Sequence, residues 1–93
     1  MHGLILALTV VTLTWLAPPA GGTPTGYKIH YGPTAGAPIL NKDVGNVLTT
    51  TLMLDLTEST FVVVRAYNAF GEGPSSNEVN ISLPGAPAGL TAR

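Results

Sequence analysis

The chain has no cysteine, which excludes a disulfide-stapled scaffold, a thiolate metal site and a thiol nucleophile together. Charge is also scarce. Asp, Glu, Lys and Arg make up 10% of the 93 residues, where a soluble domain usually carries about 25%. Four basic and five acidic residues leave a net charge of −1, so there is no basic footprint for a phosphate backbone, and nucleic acid is not an expected partner. No apolar run is long enough to span a membrane: Leu4 to Leu16 covers thirteen residues, and a helical span needs roughly 17–25. What the chain does have is 45% hydrophobic residues, enough with so little charge to offset the entropy of ordering, which excludes disorder. Its length allows one domain. Eleven Gly and eight Pro point to many turns and short strands rather than long helices.

The N-terminal run LILALTVVTLTWL has two readings. As the apolar core of a secretory leader it lacks the preceding Lys or Arg, and Pro18-Pro19 follow where a cleavage site would lie. Its Thr9, Val10, Val11, Thr12, Thr14 and Trp15 are β-branched or aromatic, which favours a strand from Val10 onward. Residues 1–9 are read as a leader or an edge strand. Pro18 to Pro24 then interrupt any ladder. Gly26 to Gly32 alternates cleanly, with Tyr27, Ile29 and Tyr31 on one face and Lys28 and His30 on the other, as expected of an antiparallel sheet with one wet side. A weaker segment, Ile39 to Val44, precedes the turn pair Gly45-Asn46. Val47 to Leu56 predicts a strand in either of two registers, Leu52/Leu54/Leu56 inward or Thr51/Met53 inward. Thr60 to Asn68 (TFVVVRAYN) is the strongest strand. A turn over Ala69 to Pro74 returns it to Asn77–Leu83 as a hairpin. No window carries helical periodicity. About six short strands in this length predict an all-β, two-sheet antiparallel sandwich.

The ordered series VTLTW (Val11–Trp15), PTGYKIHYG (Pro24–Gly32), DVGNV (Asp43–Val47) and VRAYNAFGEGPSSNEV (Val64–Val79) resembles a fibronectin type III domain, over residues 10–83. It is most similar to repeats of secreted, multidomain bacterial proteins. The tail PGAPAGLTAR (Pro84–Arg93) resembles a linker and the first strand of a following copy, as in a fragment of a tandem array. The resemblance implies an immunoglobulin-like Greek-key fold with Trp15 as the central indole. Tyr27, Ile29, Val62 and Val64 would sit at the other inner positions. Three departures stand out. Leu56 to Phe61 is about two residues short and offers Thr60 or Phe61 where the family has its corner tyrosine. The usual Pro-initiated opening before VTLTW is missing, which leaves the first edge strand in question. Phe70-Gly71-Glu72-Gly73 contains no RGD, so integrin binding does not carry over.

Little in the chain points to chemistry. His2 and His30 stand apart, and the carboxylates Asp43, Asp55, Glu58, Glu72 and Glu78 fall in or near turns rather than as a facing pair. Asp43 and Asp55 are at most a weak cation pair. Ser75-Ser76 has no neighbouring base and is expected to satisfy hairpin backbone groups. Gly71 to Gly73 leads into Pro74 and a strand, not the helix that phosphate binding uses. Asn80-Ile81-Ser82 is a formal glycosylation sequon. No catalytic, metal or cofactor residue is assigned.

One constellation remains. Lys28 and His30 point outward on one strand beside Arg65 and Tyr67 on its expected neighbour, a candidate interaction face. The function this supports is a non-catalytic, secreted or cell-surface spacer orienting neighbouring domains of the same chain. Such a spacer has its termini at opposite ends and Pro/Gly joints between units. The alternative is a recognition module that binds a protein or polysaccharide through this face or the loops.

Overall fold

The computed structural model describes residues 8–93. Seven strands form its regular structure: β1 (Leu8–Thr14), β2 (Gly26–Gly32), β3 (Leu40–Gly45), β4 (Thr49–Asp55), β5 (Thr60–Asn68), β6 (Gly71–Ser75) and β7 (Val79–Ile81). β1 is described from Leu8, the first described residue, so it includes at least two residues ahead of the expected Val10, and the leader question for residues 1–7 lies outside the described residues. β1 and β4 pair antiparallel as a two-stranded sheet, from Leu8 opposite Asp55 to Thr14 opposite Thr49. The larger sheet runs β3-β2-β5-β6, with β7 on the other half of β5. All pairings are antiparallel, giving a two-sheet sandwich.

The core is aliphatic. Ile29, Leu52, Leu54, Leu56 and Val62 form its buried cluster, with Val11, Leu13, Tyr31, Val44, Val64 and Ile81 packed around it. This decides the register of β4: its leucines point inward and Met53 is 61% exposed. Turning three leucines into the core removes more apolar surface from water than Thr51 and Met53 would.

Of the inner positions implied by the resemblance, Tyr27, Ile29 and Val62 are buried and Val64 is half-buried against the cluster. Trp15 lies differently from its expected central place. It follows the end of β1, is half-buried, and tilts against Tyr27 with ring centroids 5.6 Å apart. Its Nε1 is shielded from solvent without a hydrogen-bond partner. The residue lies just beyond the β1–β4 ladder, which ends at Thr14, and its backbone N–H donates to the Leu48 carbonyl at 3.0 Å.

The return from β5 also differs from expectation. Its turn is only Ala69-Phe70, because Asn68 already faces Gly71 across the ladder. Gly71 to Pro74, expected in the turn, belong to β6. Pro74 is tolerated there because β6 is an edge strand and its missing donor breaks no second ladder. The expected strand Asn77–Leu83 shrinks to β7. Between β6 and β7, Ser76 bridges the gap. Its N–H donates to the Val64 carbonyl at 2.8 Å, and its Oγ accepts from the Val64 N–H at 2.9 Å.

The link from β4 to β5, residues 56–59, has no corner tyrosine. It is closed by the Thr57 N–H donating to Asp55 Oδ1 at 3.0 Å and by the buried Leu56.

These registers place both ends of the described fold together. Leu8 sits opposite Asp55 and Ile81 opposite Thr60, and Asp55 and Thr60 are joined by that short link. β6 and β7 make one interrupted pass along β5, so the chain crosses the sandwich an even number of times and returns to the end where β1 starts. The expectation that the termini lie at opposite ends involves residues 1–7, which fall outside the described residues.

Candidate functional site

Lys28, His30, Arg65 and Tyr67 share the outer face of the larger sheet. Alternation along β2 and β5 fixes which side each takes. The register then sets Lys28 opposite Arg65, His30 opposite Val63 and Gly26 opposite Tyr67. The four side chains are half-buried. They do not converge on a common point: Lys28 and Tyr67 share one cluster, while His30 and Arg65 end in contacts of their own.

Tyr67 leaves β5, crosses β2 and reaches β3. Its hydroxyl lies 2.9 Å from both Oδ1 and Oδ2 of Asp43. The crossing requires Gly26, because a Cβ there would fall on the phenol ring. Lys28 Nζ sits 5.6 Å from the centroid of the same ring, at the outer range of a cation–π contact. Asp43 also accepts from the Gly45 N–H at 2.9 Å, a turn that Gly45 permits by its φ of 77°. The Gly45 hydrogen bond, then the Tyr67 hydroxyl and the Lys28 charge, hold Asp43 below the usual carboxylate range. Conversely, donation to Asp43 raises the Tyr67 phenol, with burial and the carboxylate charge adding to it.

On the other side of the face, His30 Nε2 meets Glu72 Oε1 at 2.7 Å. The acceptor is a carboxylate, so Nε2 carries the hydrogen. That hydrogen bond, followed by the charges of His30, Lys28 and Arg65, lowers Glu72. Arg65 turns along its own hairpin and donates from Nε to the Gly73 carbonyl at 2.8 Å. Two cations, Lys28 and Arg65, thus stand among two carboxylates, Asp43 and Glu72. The face neutralises itself.

Asp43, Glu72 and Gly26 were not singled out from the sequence as parts of this face. Asp43 and Glu72 read as turn residues, and only the register of β3 and the strand character of β6 bring them beside Lys28 and His30. Asp43 and Asp55, the weak cation pair, stand in different sheets. Among the described residues, no group of three or more His, Cys, Asp or Glu is placed to hold a metal ion. What this arrangement does chemically is hold three strands in register through side chains.

The strand order, the self-paired outer face and the aliphatic core are joined by a family comparison: the fibronectin type III model matches residues 7–82. The chain belongs to the fibronectin type III family. No curated protein matches the chain. This fibronectin type III domain departs from the pattern its resemblance implied mainly at Trp15 and at the β4–β5 link. Domains of this family are structural or binding modules rather than enzymes. No described helix is long and apolar enough to cross a membrane.

Proposed function

We propose that this fibronectin type III domain is a non-catalytic spacer in a secreted or cell-surface multidomain protein, its partners being neighbouring domains of the same chain. The observation that carries this reading is the self-pairing of the outer face. Asp43 engages Tyr67, Glu72 engages His30 and Arg65 engages the Gly73 carbonyl. A ligand on this face would have to compete with these contacts for the same donors and acceptors. The joint Pro84-Gly85-Ala86-Pro87 supports the same reading. It leaves β7 fully exposed, and prolines stiffen such a connection.

Two measurements test it. Two copies joined in series should scatter X-rays as an extended particle of fixed length. The isolated domain should show no saturable binding to a panel of extracellular polysaccharides and proteins. Saturable binding that is lost on Arg65→Ala or Tyr67→Ala would replace the spacer with the recognition module.

A further inference from the structure

The two outer faces of the sandwich differ in charge. On the larger sheet, Lys28, His30, Arg65, Asp43 and Glu72 share the outer face and tie it together. The smaller sheet turns Val11, Leu13, Leu52 and Leu54 to the core. Alternation therefore sends Leu8, Val10, Thr12 and Thr14 of β1 outward, opposite Asp55, Met53, Thr51 and Thr49 of β4. Among the described residues of this face, Asp55 at one end is the only charge. Leu8, Val10 and Met53 lie beside it, each more than half exposed. Leu16 and Val47, which follow the ladder at its other end, are exposed as well. A face that is apolar toward both ends and uncharged between them has the composition of an interface core rather than of a solvated surface.

The middle of the face is a block of threonines, all exposed. Thr49 Oγ1 donates to the Leu13 carbonyl at 2.9 Å. Its hydrogen is then committed, so Thr14 Oγ1 donates to it in their 3.2 Å pair. Thr12 and Thr51, cross-strand neighbours at the centre, stand outside that pair and face solvent. A hydroxyl both donates and accepts, so this central pair can bond to an identical one.

We propose that this face docks against the same face of a second copy, the two sheets packing about 10 Å apart around a two-fold axis at Thr12 and Thr51. Self-complementarity is what selects a second copy. Threonines meeting their own copies need no opposite charge, and the Leu8, Val10 and Met53 end of each copy lies toward the Leu16 and Val47 end of the other. Asp55 stays at the rim. Covering these side chains removes roughly 600 Å² from each copy and about 1,200 Å² in all, the lower limit of a specific interface. The contact joins one patch to itself and closes as a dimer. Such side-by-side pairing is independent of the end-to-end connection proposed above, and either can fail without the other.

Sedimentation equilibrium from about 10 μM to about 1 mM should show a reversible monomer–dimer equilibrium, as fits an interface of this size. Thr51→Lys and Thr51→Asp, both at an exposed strand position, should each keep the circular dichroism of the fold and sediment as monomers, because like charges then meet at the axis. Mixing the two variants should restore the dimer. Val10→Lys, on the other strand, should give the same loss and supplies a second reading if a Thr51 variant fails to fold. Phe70→Lys, at the most exposed apolar side chain but on the larger sheet, should leave the dimer unchanged. A chain that stays monomeric at about 1 mM would overturn the proposal. A dimer insensitive to Thr51→Lys and Val10→Lys would overturn it in favour of another surface. Monomeric variants that do not pair when mixed would overturn the two-fold arrangement, since the face would then meet a different surface of its partner.

Discussion

Tyr67 on β5 donates its hydroxyl to both carboxylate oxygens of Asp43 on β3, passing over the intervening strand at Gly26. One side chain thereby ties three strands together on the outer face, adding to the hold that Val44 of β3 has on the core from the inner side. Replacing Gly26 with Ala should push the ring off this path. We expect a destabilisation of about 1 kcal/mol, at the low end of overpacking because a ring tip rather than backbone must yield. The Tyr67 phenol should also return toward its ordinary ionisation. Spectrophotometric titration, with Tyr67→Phe identifying the signal, checks the second effect, and an unchanged Tyr67 titration in Gly26→Ala would show that the ring does not need the crossing.

Acid should weaken the domain through the same face. Asp43 and Glu72 both ionise below their ordinary values of 3.8 and 4.5 in the fold. A lowered folded-state pKa contributes stability that is present above the unfolded value and lost as pH falls through the folded one. Urea midpoints should therefore hold above about pH 5 and fall progressively below about pH 4. Asp43→Asn should flatten that acid slope while lowering the midpoint at neutral pH. Tyr67 acts with the opposite sign: its phenol is raised above 10.0, so its contribution holds below that pH and disappears in strong alkali.

The register of β4 makes two adjacent residues behave differently. Leu54 is 5% exposed and Met53 is 61% exposed. Leu54→Ala should cost about 2–5 kcal/mol, and Met53→Ala no more than about 0.5 kcal/mol. Equilibrium denaturation of the two variants decides the register, since a one-residue slip would exchange the results.

Ser76 holds the interrupted return strand to β5. Ser76→Ala removes the acceptor of the Val64 N–H and should destabilise the domain by about 1 kcal/mol. Hydrogen exchange at the Val64 amide should accelerate more than at Ile29 or Val62. Uniform acceleration would mean that the hydroxyl supports the fold only globally.

Much of the architecture was legible because it rests on local pattern. Alternation in Gly26–Gly32 and Thr60–Asn68 sorted Tyr27, Ile29 and Val62 from Lys28, His30 and Arg65, since side-chain direction in a strand depends only on its own backbone. Gly and Pro marked most of the interruptions for an equally local reason. The misplaced features all depended on what lies across the ladder. Gly71–Pro74 looked like a turn because of its glycines and Pro74, yet pairing with β5 and an exposed edge make it part of a strand. Trp15 was placed centrally by the resemblance, yet it lies half-buried just beyond the end of the β1–β4 ladder.

Composition and periodicity thus determined, without coordinates, that this chain is an all-β sandwich with no thiol chemistry and little charge. Tertiary structure alone decided that Asp43 and Glu72 neutralise the outer face, that the leucines of β4 point inward, and that Leu8 of β1 and Ile81 of β7 lie at the same end of the sandwich. The division has a physical cause. Which way a side chain points follows from its neighbours in sequence, whereas which group it meets follows from strand register, and register is set by the packing of residues dozens of positions apart.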